Sequence, residues 1–221
     1  MYVKDHMTEN PITIDPDVTL SRSLEIMGKN HFHRLPVTKN GKLIGLITEG
    51  LINDNSGKNS TSLSIYELNY LLSRTLAKDI MITDVKTVTK DAWIEEAAEI
   101  MLDNGINVLP VVDADDKVIG IITEKDLFKA FLNVMGYRHQ GTRFVVEMQD
   151  VPGEFEKVCH LFAQEDANIE NIGVYHHQDR SAEAVIRATG EVSVEKMTDV
   201  LVNAGFKVVN VWQTKAQDAK N

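Results

Sequence analysis

The sequence predicts a mixed α/β (α+β) chain in two parts, a duplicated unit over about residues 1–135 and a different domain after it. Three observations carry this. The first is self-similarity at a nearly fixed offset. Lys4-Asp5-His6-Met7 returns as Lys78-Asp79-Ile80-Met81. Leu35-Pro36-Val37 returns as Leu109-Pro110-Val111, and Gly45-Leu46-Ile47-Thr48 as Gly120-Ile121-Ile122-Thr123. The spacing is 74 from Met7 to Met81 and from Pro36 to Pro110, and 75 from Gly45 to Gly120. One residue is therefore inserted in the turn between, and the repeat marks a duplicated structural unit. The second is that hydrophobic spacing alternates between helical and strand periods within each copy. The third is a polar stretch with a glycine at each end, Gly136 and Gly141, after which the pattern changes.

In the first copy, 3–14 reads as a short amphipathic start followed by a strand at Ile12-Thr13-Ile14. Asp15-Pro16-Asp17 is a turn. Leu20, Leu24 and Met27 recur at helical spacing, so 19–30 is a helix. Leu35-Pro36-Val37 is a strand, Lys39-Asn40-Gly41 a hairpin turn, and 43–48 a second strand. A polar, turn-forming run at 53–60 reads as a loop. Ser64 and Glu67 suit a helix N-terminus, with Leu68, Leu71 and Leu72 as its apolar stripe. The second copy repeats the order. Asp91 opens a helix that ends near Asn104-Gly105, strands follow at 108–112 and 118–123, and 126–135 is a closing helix.

The last part reads as strand 144–148, a turn at Asp150-Val151-Pro152-Gly153, and a helix with Phe155, Val158, Leu161 and Phe162 on one face. Strands 169–175 and 182–188 follow, then a helix marked by Val194, Met197, Val200 and Leu201, and a strand at 208–211. That βαββαβ order describes a ferredoxin-like sandwich. The lysine-bearing tail beyond Trp212 is expected to fray. The expected boundaries are 1–60 and 77–135 for the copies, 61–76 for an inserted linker helix, and 142–214 for the last domain.

Bulk composition narrows the function. A net charge of −10 over 221 residues argues against general nucleic-acid binding, which needs a basic face. A hydrophobic share of 43% is enough for real cores. The single cysteine, Cys159, excludes an intramolecular disulfide and fits a reducing compartment. The start of the chain has no signal-peptide pattern, and no run approaches the roughly 20 apolar residues of a membrane span, so the expected location is the cytoplasm. No catalytic set assembles. There is no zinc spacing, no Gly-x-Ser-x-Gly and no phosphate-binding glycine loop of the Walker type. His176 and His177 are consecutive, so in a strand they would point to opposite faces and make a poor metal ligand. Cys159 reads as a packed helix residue, and Glu95-Glu96 and Asp115-Asp116 as a solvated face and a turn.

The Lys-Asp-x-Met starts, the Leu-Pro-Val strands and the Gly-h-h-Thr strands (h, hydrophobic) together resemble a tandem pair of CBS domains, a Bateman module. Asp150-Val151-Pro152-Gly153-Glu154-Phe155 followed by Asn168-Ile169-Glu170-Asn171-Ile172 resembles an ACT domain. The combination is similar to the acetoin-utilisation regulatory family. The resemblance implies an adenosine-containing ligand, such as AMP, ATP or NAD, in a cleft between the repeats. Its nucleotide motif, Gly-h-h-Thr-x-x-Asp, is intact in the second copy as Gly120, Ile121, Thr123 and Asp126. An ionised Asp can accept hydrogen bonds from both ribose hydroxyls, and it can equally cap the following helix.

The first copy keeps Thr48 but has Leu51 where the Asp should stand, so one competent cleft is expected rather than two. Family geometry supplies the opposite wall from the first copy. Thr8, Ile12, Phe32 and Pro36 would enclose the base, and His33 and Arg34 would face phosphate, or else form a surface pair with a neighbouring carboxylate. In the last domain, Gly153, Asn168 and Ile169 match a ligand or dimer-interface position, and equally ordinary turn and strand-edge chemistry. The resemblance further implies a homodimer that regulates another protein, with no catalytic residue, no metal and no cofactor. The rival reading is an interaction protein that docks on a partner with its cleft empty.

Overall fold

Each repeat opens with a short helical turn and then lends its next residues to the other repeat. In the computed structural model, which describes residues 1–55, 64–137, 139–190 and 193–214, the chain divides into two compact units, Met1–Phe128 and the part from Lys129 on. In the first unit the opening turn Val3–Asp5 hydrogen-bonds into the second repeat, Val3 N to Ala92 O at 3.0 Å and Lys4 N to Lys90 O at 2.9 Å. The opening turn of the second repeat, Ala77–Ile80, does the same in the first, Ala77 N to Val18 O at 2.8 Å and Lys78 N to Pro16 O at 3.0 Å. Lys4 is ion-paired with Asp91 at 2.8 Å, and Lys78 with Asp17 at 2.5 Å. These are the same contacts moved by 74 residues, so the repeats are related by an approximate two-fold axis. Ala77, fully buried, belongs to the core of the first repeat, and Val3 is equally buried.

The elements of the first repeat are β1 (Thr8–Glu9), α1 (Leu20–Asn30), β2 (Arg34–Lys39), β3 (Lys42–Thr48) and α2 (Glu49–Asn55). Then come α3 (Ile65–Arg74), α4 (Ala77–Ile80), β4 (Val88–Thr89), α5 (Ile94–Asn104), β5 (Val108–Val112), β6 (Val118–Thr123) and α6 (Glu124–Val134). Thr19 caps α1 by accepting from Arg22 N at 3.3 Å, a bond type worth about 1 kcal/mol. Ser64 and Glu67 form the reciprocal box at the start of α3. Leu20, Met27, Leu35, Val37, Ile47 and Ile52 make the first core.

β1 does not join its own hairpin, β2–β3. It pairs antiparallel with β6, Thr8 opposite Ile121 and Glu9 opposite Gly120, in a sheet ordered β1-β6-β5-β4. The equivalent exchange is the bridge from Ile82 to Leu46 on β3. The glycines of the repeated motif are needed for this crossing. A Cβ on Gly120 would stand 2.5 Å from Met7 Sδ, and one on Gly45 would run into Met81 Sδ.

Three local readings need correction. Ile12-Thr13-Ile14 contributes only a single bridge, Ile14 to Val37, because the strand contacts of this segment are made earlier, at Thr8–Glu9. Asp91 does not open α5. Trp93 is the N-cap, and Asp91 instead holds Lys4. Asn53, Asp54 and Asn55 are the last turn of α2 rather than loop, while the rest of that stretch lies outside the described residues.

The second unit is a four-stranded antiparallel sheet with two helices on one face. Its elements are β7 (Gly141–Gln149), α7 (Glu154–Gln164), β8 (Asn168–His176), β9 (Ser181–Thr189), α8 (Val194–Asn203) and β10 (Lys207–Thr214), and the strand order is β10-β7-β9-β8. Phe144, Val146, Met148, Ala182, Ala184, Ile186 and Ala188 alternate onto the face that meets Val158, Phe162, Met197 and Leu201. Phe144 and Phe162 meet edge to face, centroids 5.4 Å apart. Cys159 is half-buried in α7, and burial pushes its thiol up, away from the thiolate. The residues beyond Thr214 lie outside the described set. Among the described residues, no helix is long and apolar enough to cross a membrane.

Candidate functional site

Crossing β1 onto β6 opens a cavity of about 550 Å³ between the repeats. All nine residues expected at the nucleotide cleft line it: Thr8, Ile12, Phe32, His33, Arg34, Pro36, Ile121, Thr123 and Asp126. They arrive from several elements of both repeats. Thr8 is on β1 and Ile12 just beyond it. Phe32 and His33 follow α1, where His31 closes the helix in the left-handed conformation (φ 57). Arg34 and Pro36 lie on β2, Ile121 and Thr123 on β6, and Asp126 in the first turn of α6.

The acidic end is already organised. Asp126 Oδ2 accepts from Thr123 N at 3.1 Å and from Thr123 Oγ1 at 2.7 Å. The carboxylate therefore caps α6 and lines the cavity at once. The cationic end is shared out. Arg34 Nη2 donates to Asn107 Oδ1 at 2.5 Å. Burial lowers the guanidinium pKa and the nearby Glu124 carboxylate raises it. His33 Nδ1 lies 2.8 Å from Glu49 Oε2, the surface pairing that was the alternative reading for it.

Sequence reasoning missed Pro11, His31, Asn107, Val108, Glu124 and Lys125, which also line this cavity. Asn107 and Val108 could have been found by the repeat offset alone. They are the copies of His33 and Arg34, and the two-fold axis sets the pairs against each other.

A second cavity, also about 550 Å³, sits at the equivalent place on the other side. Its walls include Thr48, Glu49, Asp84 and Lys86, and it shares His33, Arg34, Asn107 and Val108 with the first. Leu51, the counterpart of Asp126, is not among its lining residues. Thr48 Oγ1 accepts from Leu51 N at 3.0 Å, so the backbone cap survives without the carboxylate. Lys86 is paired with Asp84 at 3.1 Å.

The positions singled out in the second unit are less concentrated. Gly153 sits in the left-handed region (φ 92) at the start of α7, with open space where a Cβ would be. Asn168 starts β8 and donates to Glu170 Oε1 at 2.9 Å, and Ile169 packs against the core. His176 lies 2.9 Å from Asp150, tying the end of β8 to the turn before α7. Among the described residues, no three histidine, cysteine or acidic side chains cluster as a metal site.

Comparison with known proteins agrees with this architecture. The model of the CBS domain matches residues 3–52 and 77–133, and that of the TTHA0829-like ACT domain matches 140–212. Uncharacterized protein MJ1426 of Methanocaldococcus jannaschii is 32% identical over 155 residues, covering 60% of this chain and 92% of that protein. Inosine-5'-monophosphate dehydrogenase of the same organism is 27% identical over 213 residues, covering 90% of this chain and 40% of the enzyme. The chain spans less than half the length of the first curated relatives it matches.

Among solved structures, CBSX2 in complex with AMP is 26% identical, with TM-score 0.52, covering 60% of this chain and 97% of the other. CBSX2 is a protein of Arabidopsis thaliana. The CBS pair of protein MJ0100, in complex with 5-methylthioadenosine and S-adenosyl-L-methionine, is 27% identical with TM-score 0.51, covering 59% and 99%. A Vibrio cholerae protein assigned to acetoin utilization (AcuB) is 28% identical with TM-score 0.51, covering 62% and 95%.

Proposed function

Because this chain belongs to the CBS-domain family, with an ACT domain behind a tandem pair, we propose that it is a non-catalytic regulatory protein that binds an adenosine-containing nucleotide between its repeats. One observation carries the reading. Nine residues chosen from the sequence converge on a single cavity of about 550 Å³, within the roughly 300–1,000 Å³ of small-molecule sites. Ile12, Phe32, Pro36 and Ile121 offer apolar walls to adenine. Asp126, oriented by Thr123, offers a carboxylate to the ribose hydroxyls. Arg34 offers a planar fork to phosphate. With His33 engaged by Glu49, Arg34 and Lys125 are the cations left to the cavity, which suits a short phosphate chain, so AMP heads the ligands, ahead of ATP and NAD. The complexes of CBSX2 with AMP and of MJ0100 with adenosine-bearing ligands support the choice of class.

In this reading the ACT domain, through Gly153, Asn168 and Ile169, dimerises the chain or reads a second small molecule. The homodimer acts on a partner protein in the cytoplasm, with acetoin utilisation as the candidate process. Ligand regulates by binding one arrangement better than another, and the shift equals that difference in affinity.

Calorimetry of the full chain with AMP, ATP, NAD and cyclic di-AMP tests the proposal. Asp126→Asn preserves the shape and the cap but removes the charge, and is expected to weaken AMP binding about ten- to a hundredfold. A parent chain silent to all four ligands points instead to an interaction protein with an empty cleft. Undiminished affinity in Asp126→Asn removes the ribose anchor.

A further inference from the structure

The sheet of the second unit has a face away from α7 and α8. Val134, Met135 and His139 lie over its β8–β9 side, where Asn171 Nδ2 donates to Val134 O at 2.7 Å and Met135 packs at Gly173. One row of residues runs across all four strands on this face. Trp212 on β10 stands opposite Arg143 on β7, Arg143 opposite Arg187 on β9, and Arg187 opposite Asn171 on β8. Directly opposed residues bring their Cβ atoms to about 4.5–5.5 Å, and like charges so placed repel. Arg187 is only 2% exposed. Its Nη1 donates to the His139 carbonyl, while its Nε is buried without an acceptor. Burial and the Arg143 charge both push the Arg187 pKa down.

Several cations of this acidic chain find carboxylates, among them Arg22 with Glu25, Lys196 with Glu165 and Lys207 with Glu147. Among the described residues, neither Arg143 nor Arg187 has one. Two adjacent guanidiniums, one of them buried, are strongly unfavourable without a counter-charge. Arg143 is half-buried and leaves the pair an open side. The rings of Tyr137 and Trp212, centroids 6.4 Å apart and about half exposed, border it.

We propose that Arg143, with the buried Arg187 charge beside it, forms an oxyanion site on the β10–β7 side of this sheet face, taking the carboxylate or phosphate group of a small molecule. The Arg143 fork suits two-point binding of such a group, and the aromatic border suits a flat or apolar remainder. The site is independent of the cavity between the repeats.

The test is thermal unfolding of the full chain in sodium phosphate and in sodium acetate, each against sodium chloride at equal ionic strength. At least one of the two anions is expected to raise the midpoint of the parent and of Arg34→Gln, whose cavity between the repeats lacks its guanidinium, but not of Arg34→Gln/Arg143→Gln. Titration of that anion should show its dissociation constant rising at least about tenfold from Arg34→Gln to the double variant. In chloride alone Arg143→Gln should melt above the parent, since the repulsion is gone. Arg187→Gln is the less useful variant because Arg187 also holds His139. A response to phosphate alone assigns the site to phosphoryl groups, and a response to acetate assigns it to carboxylates. No response of Arg34→Gln beyond chloride overturns the proposal, as does a response that survives in Arg34→Gln/Arg143→Gln.

Discussion

Met7 Sδ occupies the space in which Gly120 would otherwise carry a side chain, at 2.5 Å from where its Cβ would be. Met81 stands in the same relation to Gly45. The two halves of the repeated motif, Lys-Asp-x-Met and Gly-h-h-Thr, are thus partners across repeats rather than within one. Neither glycine has positive φ, so the constraint is room, not backbone conformation.

Alanine at either glycine should destabilise the chain, by about 1–3 kcal/mol as overpacking does. The two should differ. At Gly120 the three nearest atoms all belong to the flexible Met7 side chain, whereas at Gly45 the Ile82 carbonyl is also close, at 3.1 Å. Urea midpoints should therefore fall further for Gly45→Ala. Equal losses, or the reverse order, would count against the crossed packing.

Arg34 should read phosphate and not the base. Arg34→Gln is expected to weaken AMP by about tenfold or more while leaving adenosine unchanged. Competition between the two ligands by calorimetry checks this. A parallel loss for adenosine would mean the substitution has deformed the cavity.

Leu51→Asp should raise the number of nucleotides bound per chain from one to two. The second cavity is as large as the first, and Thr48 stands ready to orient a carboxylate as Thr123 does. Equilibrium dialysis with labelled AMP gives the stoichiometry. If it stays at one, Glu49 and Asp84 on that wall are the stronger reason that the cavity takes no nucleotide.

The crossed ion pairs set a pH dependence. Hydrogen bonds from Lys78 and Lys4 hold Asp17 and Asp91 below the ordinary value of 3.8, and the same bonds raise both lysines above 10.5. Depressed carboxylates stabilise the fold above 3.8 and lose that contribution as pH falls through their folded values. Raised lysines stabilise below 10.5 and lose it as pH climbs through theirs. The difference in urea midpoint between the parent and Lys4→Met/Lys78→Met should be flat between those limits and close outside them. All four groups are solvent-exposed, so it should be small and shrink in high salt.

The architecture was legible because a duplication makes each copy a check on the other. The hairpins, the α3 cap at Ser64 and the βαββαβ order all follow from spacing. The cleft was legible in its residues but not in its couplings. No local pattern says that Arg34 bonds Asn107, 73 residues away, or that His33 turns to Glu49. Asp91 misled because an Asp before a helical pattern normally caps it, and here a lysine from the other repeat claims it. The row from Trp212 to Asn171 was invisible for a similar reason. It exists only once four strands are set in register.

The exchange of opening segments also bears on how such a chain arises. A lone copy whose first residues dock on a twin is the design of a symmetric homodimer, in which any change is imposed on both interfaces at once. Joining the twins into one polypeptide lifts that obligation. Leu51 and Asp126 are a difference of that kind, a carboxylate in one chamber that the other does not have to share.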